Sequence, residues 1–158
     1  MRHCLSGVLI ATLCILFLLD PMAFAGLGNH SAMYVGGTVS GASEHAEGHF
    51  ILGDTSAAFE SKSVSFTIPY ASVDSLEYGE KAGRRVGLSI AISPLFLLSK
   101  KRRHYLTVGY LDDQHKQQAA VLELGKDIIF PTLHTLETKT GKKVEYQDDE
   151  ARKAATGK

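Results

Sequence analysis

The sequence predicts a mainly β fold, an antiparallel barrel of about seven strands closed by one C-terminal helix. Short apolar segments recur between residues 33 and 124, several of them alternate with polar residues, and turn-forming residues separate them. One helical pattern follows these segments near the C-terminus. A strongly bent antiparallel sheet leaves one end open, and a single amphipathic helix is suited to closing it.

The first predicted strands form an interrupted strand and a hairpin. Met33 to Val35 begins a strand that the glycines Gly36-Gly37 are expected to bend or bulge. His49 to Leu52 and Ala57 to Ser61 then flank Gly53-Asp54-Thr55. These three residues are typical of a turn, so the two flanking segments are predicted to pair.

The clearest alternation in the chain covers Ser63 to Tyr70. Its apolar residues occupy every second position, as expected for a strand with one buried face. Pro69 places the end of this strand at a sheet edge or at its exit from the sheet, because proline donates no backbone hydrogen bond. Val73 to Tyr78 forms a further short strand. The alternating apolar residues are Val64, Phe66, Ile68 and Tyr70.

A second hairpin is predicted from His104 to Tyr110 and from Lys116 to Leu124, around a polar turn. In each arm, the apolar residues two positions apart share a face. A helix follows, with Pro131 at its first position and Gly141 as its left-handed C-cap. Its apolar stripe is suited to packing on a sheet and consists of Ile129, Leu133 and Leu136.

Residues 1–25 have the pattern of a cleavable secretory signal peptide. A positive start, Met1-Arg2-His3, precedes the apolar run Cys4 to Leu19, and Ala23-Phe24-Ala25 provides the small residues that signal peptidase requires. The run is too short to span a bilayer, which favours cleavage over an anchor. The pattern therefore predicts that the protein is exported to the periplasm or to the cell exterior. Residues 26–32 form a flexible lead-in, residues 33–141 the β domain, and residues 142–158 a charged tail, disordered or a frayed helix.

The composition restricts the possible functions of the protein less than it restricts its possible locations. Both cysteines, Cys4 and Cys14, lie in the predicted signal peptide, so the mature chain contains no thiol and no disulfide. The 17 basic and 17 acidic residues cancel, and cleavage removes one of each. Net charge therefore indicates no nucleic-acid partner, and only a local cluster can attract anions.

The barrel-and-helix pattern resembles the outline of a pleckstrin-homology-like (PH-like) domain. The run Ile68 to Gly79, which reads IPYASVDSLEYG, resembles a segment of small exported bacterial proteins that carry PH-like or GRAM-like domains. The resemblance covers about residues 33–143 and implies a fold without established catalytic or ligand residues. Further segments that carry it are Gly83 to Val86, Ser99 to Thr107, Leu122 to Asp127 and Thr140 to Lys143.

A basic–apolar–basic segment is the most unusual feature of the predicted domain. Its apolar part, Val86 to Leu98, covers only about 20 Å as a helix and contains Pro94, which argues against a membrane span. Val86 to Ile92 is suited to a buried strand or short helix, with the basic residues as its solvated ends. Alternatively, the cations form an anion- or lipid-binding site, as the resemblance to PH-like domains suggests. These cations are Arg84, Arg85, Lys100, Lys101, Arg102 and Arg103.

No catalytic or metal-binding motif is found. His45 and His49 are four residues apart, but Gly48 lies between them and the segment 41–48 has the composition of a polar loop, so we expect no metal site. Phosphate-loop, dinucleotide-binding and serine-hydrolase signatures are missing, and no cofactor is expected.

The sequence thus predicts a non-enzymatic binding module that engages an anionic membrane surface or an envelope protein through its basic loop. The alternative is a small secreted hydrolase or carbohydrate-active protein with a site dispersed over loops.

Overall fold

A computed structural model describes residues 29–43, 45–80 and 103–157. The predicted signal peptide and the apolar segment Val86 to Leu98 lie outside these residues. Within them the chain forms eight strands and two helices, which confirms the mainly β fold class. The strands are β1 (Asn29–Gly37), β2 (Ala46–Leu52), β3 (Ser56–Ser61), β4 (Ser65–Pro69), β5 (Val73–Gly79), β6 (His104–Leu111), β7 (Gln117–Leu124) and β8 (Val144–Tyr146), and the helices are α1 (Ile129–Thr140) and α2 (Asp149–Thr156).

All eight described strands belong to one sheet in the order β4-β3-β2-β1-β7-β6-β5-β8. Neighbours are antiparallel except β8, which runs parallel to β5. The predicted closed barrel is therefore not found among the described strands. Because β8 pairs with β5, it occupies the strand edge that closure would have joined to β4.

The two predicted hairpins are confirmed. β2 pairs with β3 across the turn at Gly53 to Thr55, and β6 pairs with β7 from His104 opposite Leu124 to Leu111 opposite Gln117. The predicted irregularity in β1 is present as a register shift between Tyr34 and Gly36. β1 begins at Asn29, so the last residues of the predicted flexible lead-in belong to a strand.

The strand β4 shows the predicted alternation and edge position. Ile68 is buried, whereas Ser65 and Thr67 are exposed. Among the described strands β4 pairs only with β3, so Pro69 lies at the sheet edge, where its missing N–H costs no ladder hydrogen bond.

The helix α1 packs on the sheet through the predicted stripe. Ile129, Leu133 and Leu136 are all buried and belong to the main core, and Gly141 adopts a left-handed φ of 69° at the helix C-terminus. Pro131 is the third residue of α1 rather than the first, because a 3₁₀ turn leads the chain into the helix at Ile129. The largest fully buried side chains of the sheet include Tyr34, Phe50, Phe59, Leu76, Tyr78, Leu106 and Leu122.

The tail, which was expected to be disordered or a frayed helix, contains the strand β8 and the helix α2. Val144 is buried in β8, opposite Leu76 of β5, and the helix α2 buries Ala151 and Ala155. Asp148 caps α2, since its side chain accepts a hydrogen bond from the Ala151 N–H at 2.7 Å. The charged residues of α2 are all exposed, so they do not prevent its small apolar residues from packing.

Candidate functional site

The chain leaves β5 and enters β6 at one end of the sheet. Gly79, the last residue of β5, is the partner of Tyr105 in β6, and His104 is the partner of Leu124 at the end of β7. The connection between the two strands therefore starts and finishes at the same place. We call this end the root region, and it comprises Gly79, Glu80, Arg103, His104 and Leu124 to Lys126.

The structure locates one of the six predicted anion-binding residues. Arg103 belongs to the root region, immediately before β6. The remaining five lie outside the described residues, and their part in a site stays a prediction from sequence. They are Arg84, Arg85, Lys100, Lys101 and Arg102.

Arg103 forms an ion pair with Glu123 of β7. Its Nη1 donates to both carboxylate oxygens, at 2.9 Å to Oε1 and 2.7 Å to Oε2. The side chains remain 34% and 21% exposed, respectively. The hydrogen bond and the charge of Glu123 raise the pKa of Arg103 above its usual value. This cation therefore already has an anionic partner within the protein.

His104 is held by an aromatic neighbour and adds little positive charge. The Tyr78 hydroxyl lies 2.6 Å from His104 Nδ1, and the two rings are stacked with centroids 6.2 Å apart. Burial lowers the pKa of His104 from its ordinary value of 6.5, so the imidazole is neutral near pH 7. Burial also raises the pKa of Tyr78, and the charge of Glu80 adds to that increase.

Lys126 is a cation of the root region that the sequence reasoning missed. It is exposed, and its charge contributes to lowering the pKa of His104, which places the two groups within electrostatic reach. The predicted pairing of the second hairpin would have revealed it, since Lys126 follows Leu124 by two residues and Leu124 is opposite His104.

An open groove of about 660 Å³ lies beside the Arg103–Glu123 pair and extends along β1 to the start of β2. A neighbouring groove of about 710 Å³ continues from it along β2 and β3. Both are lined by charged and polar groups and are accessible from solvent. The residues that the two grooves share are His45, Glu47 and Gly48.

The two histidines with metal-like spacing belong to different local structures. His45 precedes β2 with a positive φ of 67°, whereas His49 lies within β2 opposite Glu60. His49 therefore lies in the strand predicted from His49 onward, whereas β2 begins at Ala46, inside the segment 41–48 that was expected to be a polar loop. In the described ranges, no three His, Cys, Asp or Glu residues are arranged to hold a metal ion. A hydrolase site dispersed over loops stays a prediction from sequence.

Comparisons with known proteins give no family. No protein-family model matches the chain, and no curated protein matches its sequence significantly. A crystal structure of the C-terminal domain of an unknown protein from Leishmania infantum is similar over 87% of this chain and 99% of that domain, with 11% identity and a TM-score of 0.41. Similarity at this level supports no conclusion about fold family or function.

None of the helices in the described ranges has the length and hydrophobicity needed to cross a bilayer.

Proposed function

We propose that this protein is an exported, non-enzymatic binding module of the PH-like type that engages an anionic surface of the cell envelope. The observation that carries the proposal is that β5 ends and β6 begins at the same end of the sheet, in the root region. Because the β5–β6 connection begins and ends at paired strand ends, Glu80 and Arg103 lie at the same end of the sheet. Arg84 follows Gly79 by five residues, and Lys100 to Arg102 directly precede Arg103.

The strand order supports the PH-like part of the proposal. The first seven strands are antiparallel, the first pairs with the seventh, and one helix follows the seventh strand directly. That helix packs its apolar stripe into the main core. This arrangement agrees with the resemblance carried by the run Ile68 to Gly79, while β8 and α2 are additions to it.

Charge chemistry supports an anionic partner. Arginine binds phosphate through a planar fork and lysine supplies a compact charge, and each cation near an anionic surface contributes about 1 kcal/mol. The chain has a formal net charge of +0, so attraction must come from a local cluster. Lys126 adds to the cluster at the root region, whereas Glu80 and Glu123 reduce its net charge.

Vesicle co-sedimentation tests this function directly. The purified protein is mixed with zwitterionic vesicles and with vesicles that contain anionic lipid, each at low and at high salt. We expect binding to the anionic vesicles alone, weakened by salt because exposed charges are screened. Failure to bind the anionic vesicles at both salt concentrations would refute the proposal.

An envelope protein is a second candidate partner, and the edge strand β4 favours it. One side of β4 has no neighbouring strand within the described sheet, so an extended peptide has backbone groups available for pairing. Co-purification of a partner that is lost when Thr67 is replaced by proline, which removes a backbone donor from this strand, would support this mode. Retention of the partner by that variant would exclude it.

A further inference from the structure

We propose that Glu123 makes the Arg103 site selective for phosphomonoester dianions over singly charged phosphodiesters. This inference rests on the proposed function and identifies the class of anion that the same site accepts. Glu123 acts as an internal competitor, since an incoming anion must take over the guanidinium group that the carboxylate now occupies.

The geometry holds the competitor in place. Glu123 lies within β7, between partners Met33 in β1 and Tyr105 in β6, so its backbone is fixed by two neighbouring strands. Its carboxylate accepts both hydrogen bonds from Arg103 Nη1, at 2.9 and 2.7 Å. The pair is partly exposed and lines the open groove of about 660 Å³, so an anion from solvent can reach it.

Charge then decides which anions displace the carboxylate. A phosphodiester carries one negative charge, so it exchanges one monoanion for another and leaves Glu123 without its partner. A phosphomonoester carries a charge of about −1.5 to −2 at pH 7 and offers three acceptor oxygens. It therefore gains more from contact with Arg103. Glu123 also repels it more strongly, but the displaced carboxylate lies farther from the phosphate than the guanidinium group does, so the attraction outweighs the repulsion.

The test compares two vesicle types in which the lipid headgroup differs. One contains phosphatidic acid, a phosphomonoester, and the other contains phosphatidylglycerol, a phosphodiester, at equal mole fraction and ionic strength. We expect the wild-type protein to bind the phosphatidic acid vesicles about tenfold more tightly. Glu123→Gln should strengthen binding to phosphatidylglycerol about fivefold and binding to phosphatidic acid less, so that the selectivity narrows.

Glu60→Gln is the matched control, because Glu60 is an exposed carboxylate of β3 that lines the neighbouring groove and not the one beside Arg103. It removes the same charge and should leave the selectivity unchanged. Inorganic phosphate is then added to the vesicle-bound protein, with sodium chloride of equal ionic strength as the reference. This shows whether the phosphate group that the site binds can come from the free ion or must come from a lipid headgroup. If phosphate releases the protein from the vesicles and sodium chloride does not, the free ion is a sufficient ligand. If the protein stays on the vesicles, the ligand is the lipid headgroup.

The outcomes separate this inference from the function on which it rests. Wild-type protein that binds neither vesicle type refutes the proposed function itself. Equal binding to both types, or a Glu123→Gln variant with unchanged melting temperature that binds both less tightly, overturns only the inference. Arg103→Gln combined with Glu123→Gln is the final check. If the gain from Glu123→Gln persists without Arg103, it reflects net charge and the competition is refuted.

Discussion

Replacing Thr132 by valine is expected to stabilise the fold. Thr132 lies in α1 with a relative exposure of 0%, and its Oγ1 has no hydrogen-bond partner in the part of the chain that the structure describes. Valine has nearly the same shape and is also branched at Cβ, so packing and helix propensity change little. The substitution therefore removes a buried polar group and leaves its surroundings filled.

The expected gain follows from the cost of the unpaired hydroxyl. Leaving such a group buried costs about 1 to 3 kcal/mol. For a chain of this size, each kcal/mol raises the melting temperature by about 3 °C, so the variant should melt about 3 to 9 °C higher. Urea unfolding measures the same change as a higher midpoint with an unchanged slope.

Replacing Thr140 by valine is the matched control, and this substitution is expected to lower stability instead of raising it. The Thr140 Oγ1 donates to the Leu136 carbonyl at 2.7 Å and accepts from the Lys142 N–H at 3.1 Å. Thr140→Val removes both bonds and should lower stability by about 1 kcal/mol. A lower urea midpoint for Thr132→Val would show that its hydroxyl is paired in the native protein, and the reasoning would then be refuted.

Two further predictions concern the tail and the root region. Truncation after Gly141 should lower the melting temperature markedly in a thermal scan, because it removes buried Val144 and Ala151; an unchanged melting temperature would mean that the tail does not pack. Burial lowers the pKa of His104 below 6.5, so the unfolded state binds more protons, and stability should fall as the pH decreases from about 6.5 through the folded-state pKa. His104→Gln should flatten this decline in pH-dependent urea unfolding, and His134→Gln at an exposed position is its control.

The hairpins could be predicted because their signals are local. Gly53 to Thr55 fixes one turn, and the alternation that ends at Tyr70 identifies a strand with one buried face. The pairing of His104 with Leu124 likewise follows from two apolar arms of similar length around a polar turn. These features depend on neighbouring residues, and a single sequence contains them.

The open sheet and the strand β8 could not be predicted because they depend on contacts distant in sequence. β8 has three residues, and only its pairing with β5 makes it a strand. The helix α2 did carry a local signal, since Asp148 is suited to an N-cap and Gly157 to a C-cap. The charged composition of the tail favoured disorder as the other expectation beside a frayed helix.

The residue types of the candidate site could be predicted from the sequence, but the charge interactions between them could not. The cluster of cations is evident from the sequence. The ion pair of Arg103 with Glu123 arises from the register of β6 with β7, in which Tyr105 lies opposite Glu123. The neutral state of His104 arises from its burial against Tyr78. Both effects make the described root region less positive than the sequence alone suggests.

The most direct test of the proposed function removes the cations themselves. One variant replaces Lys100, Lys101 and Arg102 by glutamine, and its control replaces three exposed lysines of the C-terminal region, Lys142, Lys143 and Lys153. Both lose three positive charges, so a difference in affinity for anionic vesicles reports position and not net charge. We expect the control to bind like the wild type and the first variant to lose most of its binding. Equal affinity of the two variants would contradict the proposal that this segment binds the anionic surface.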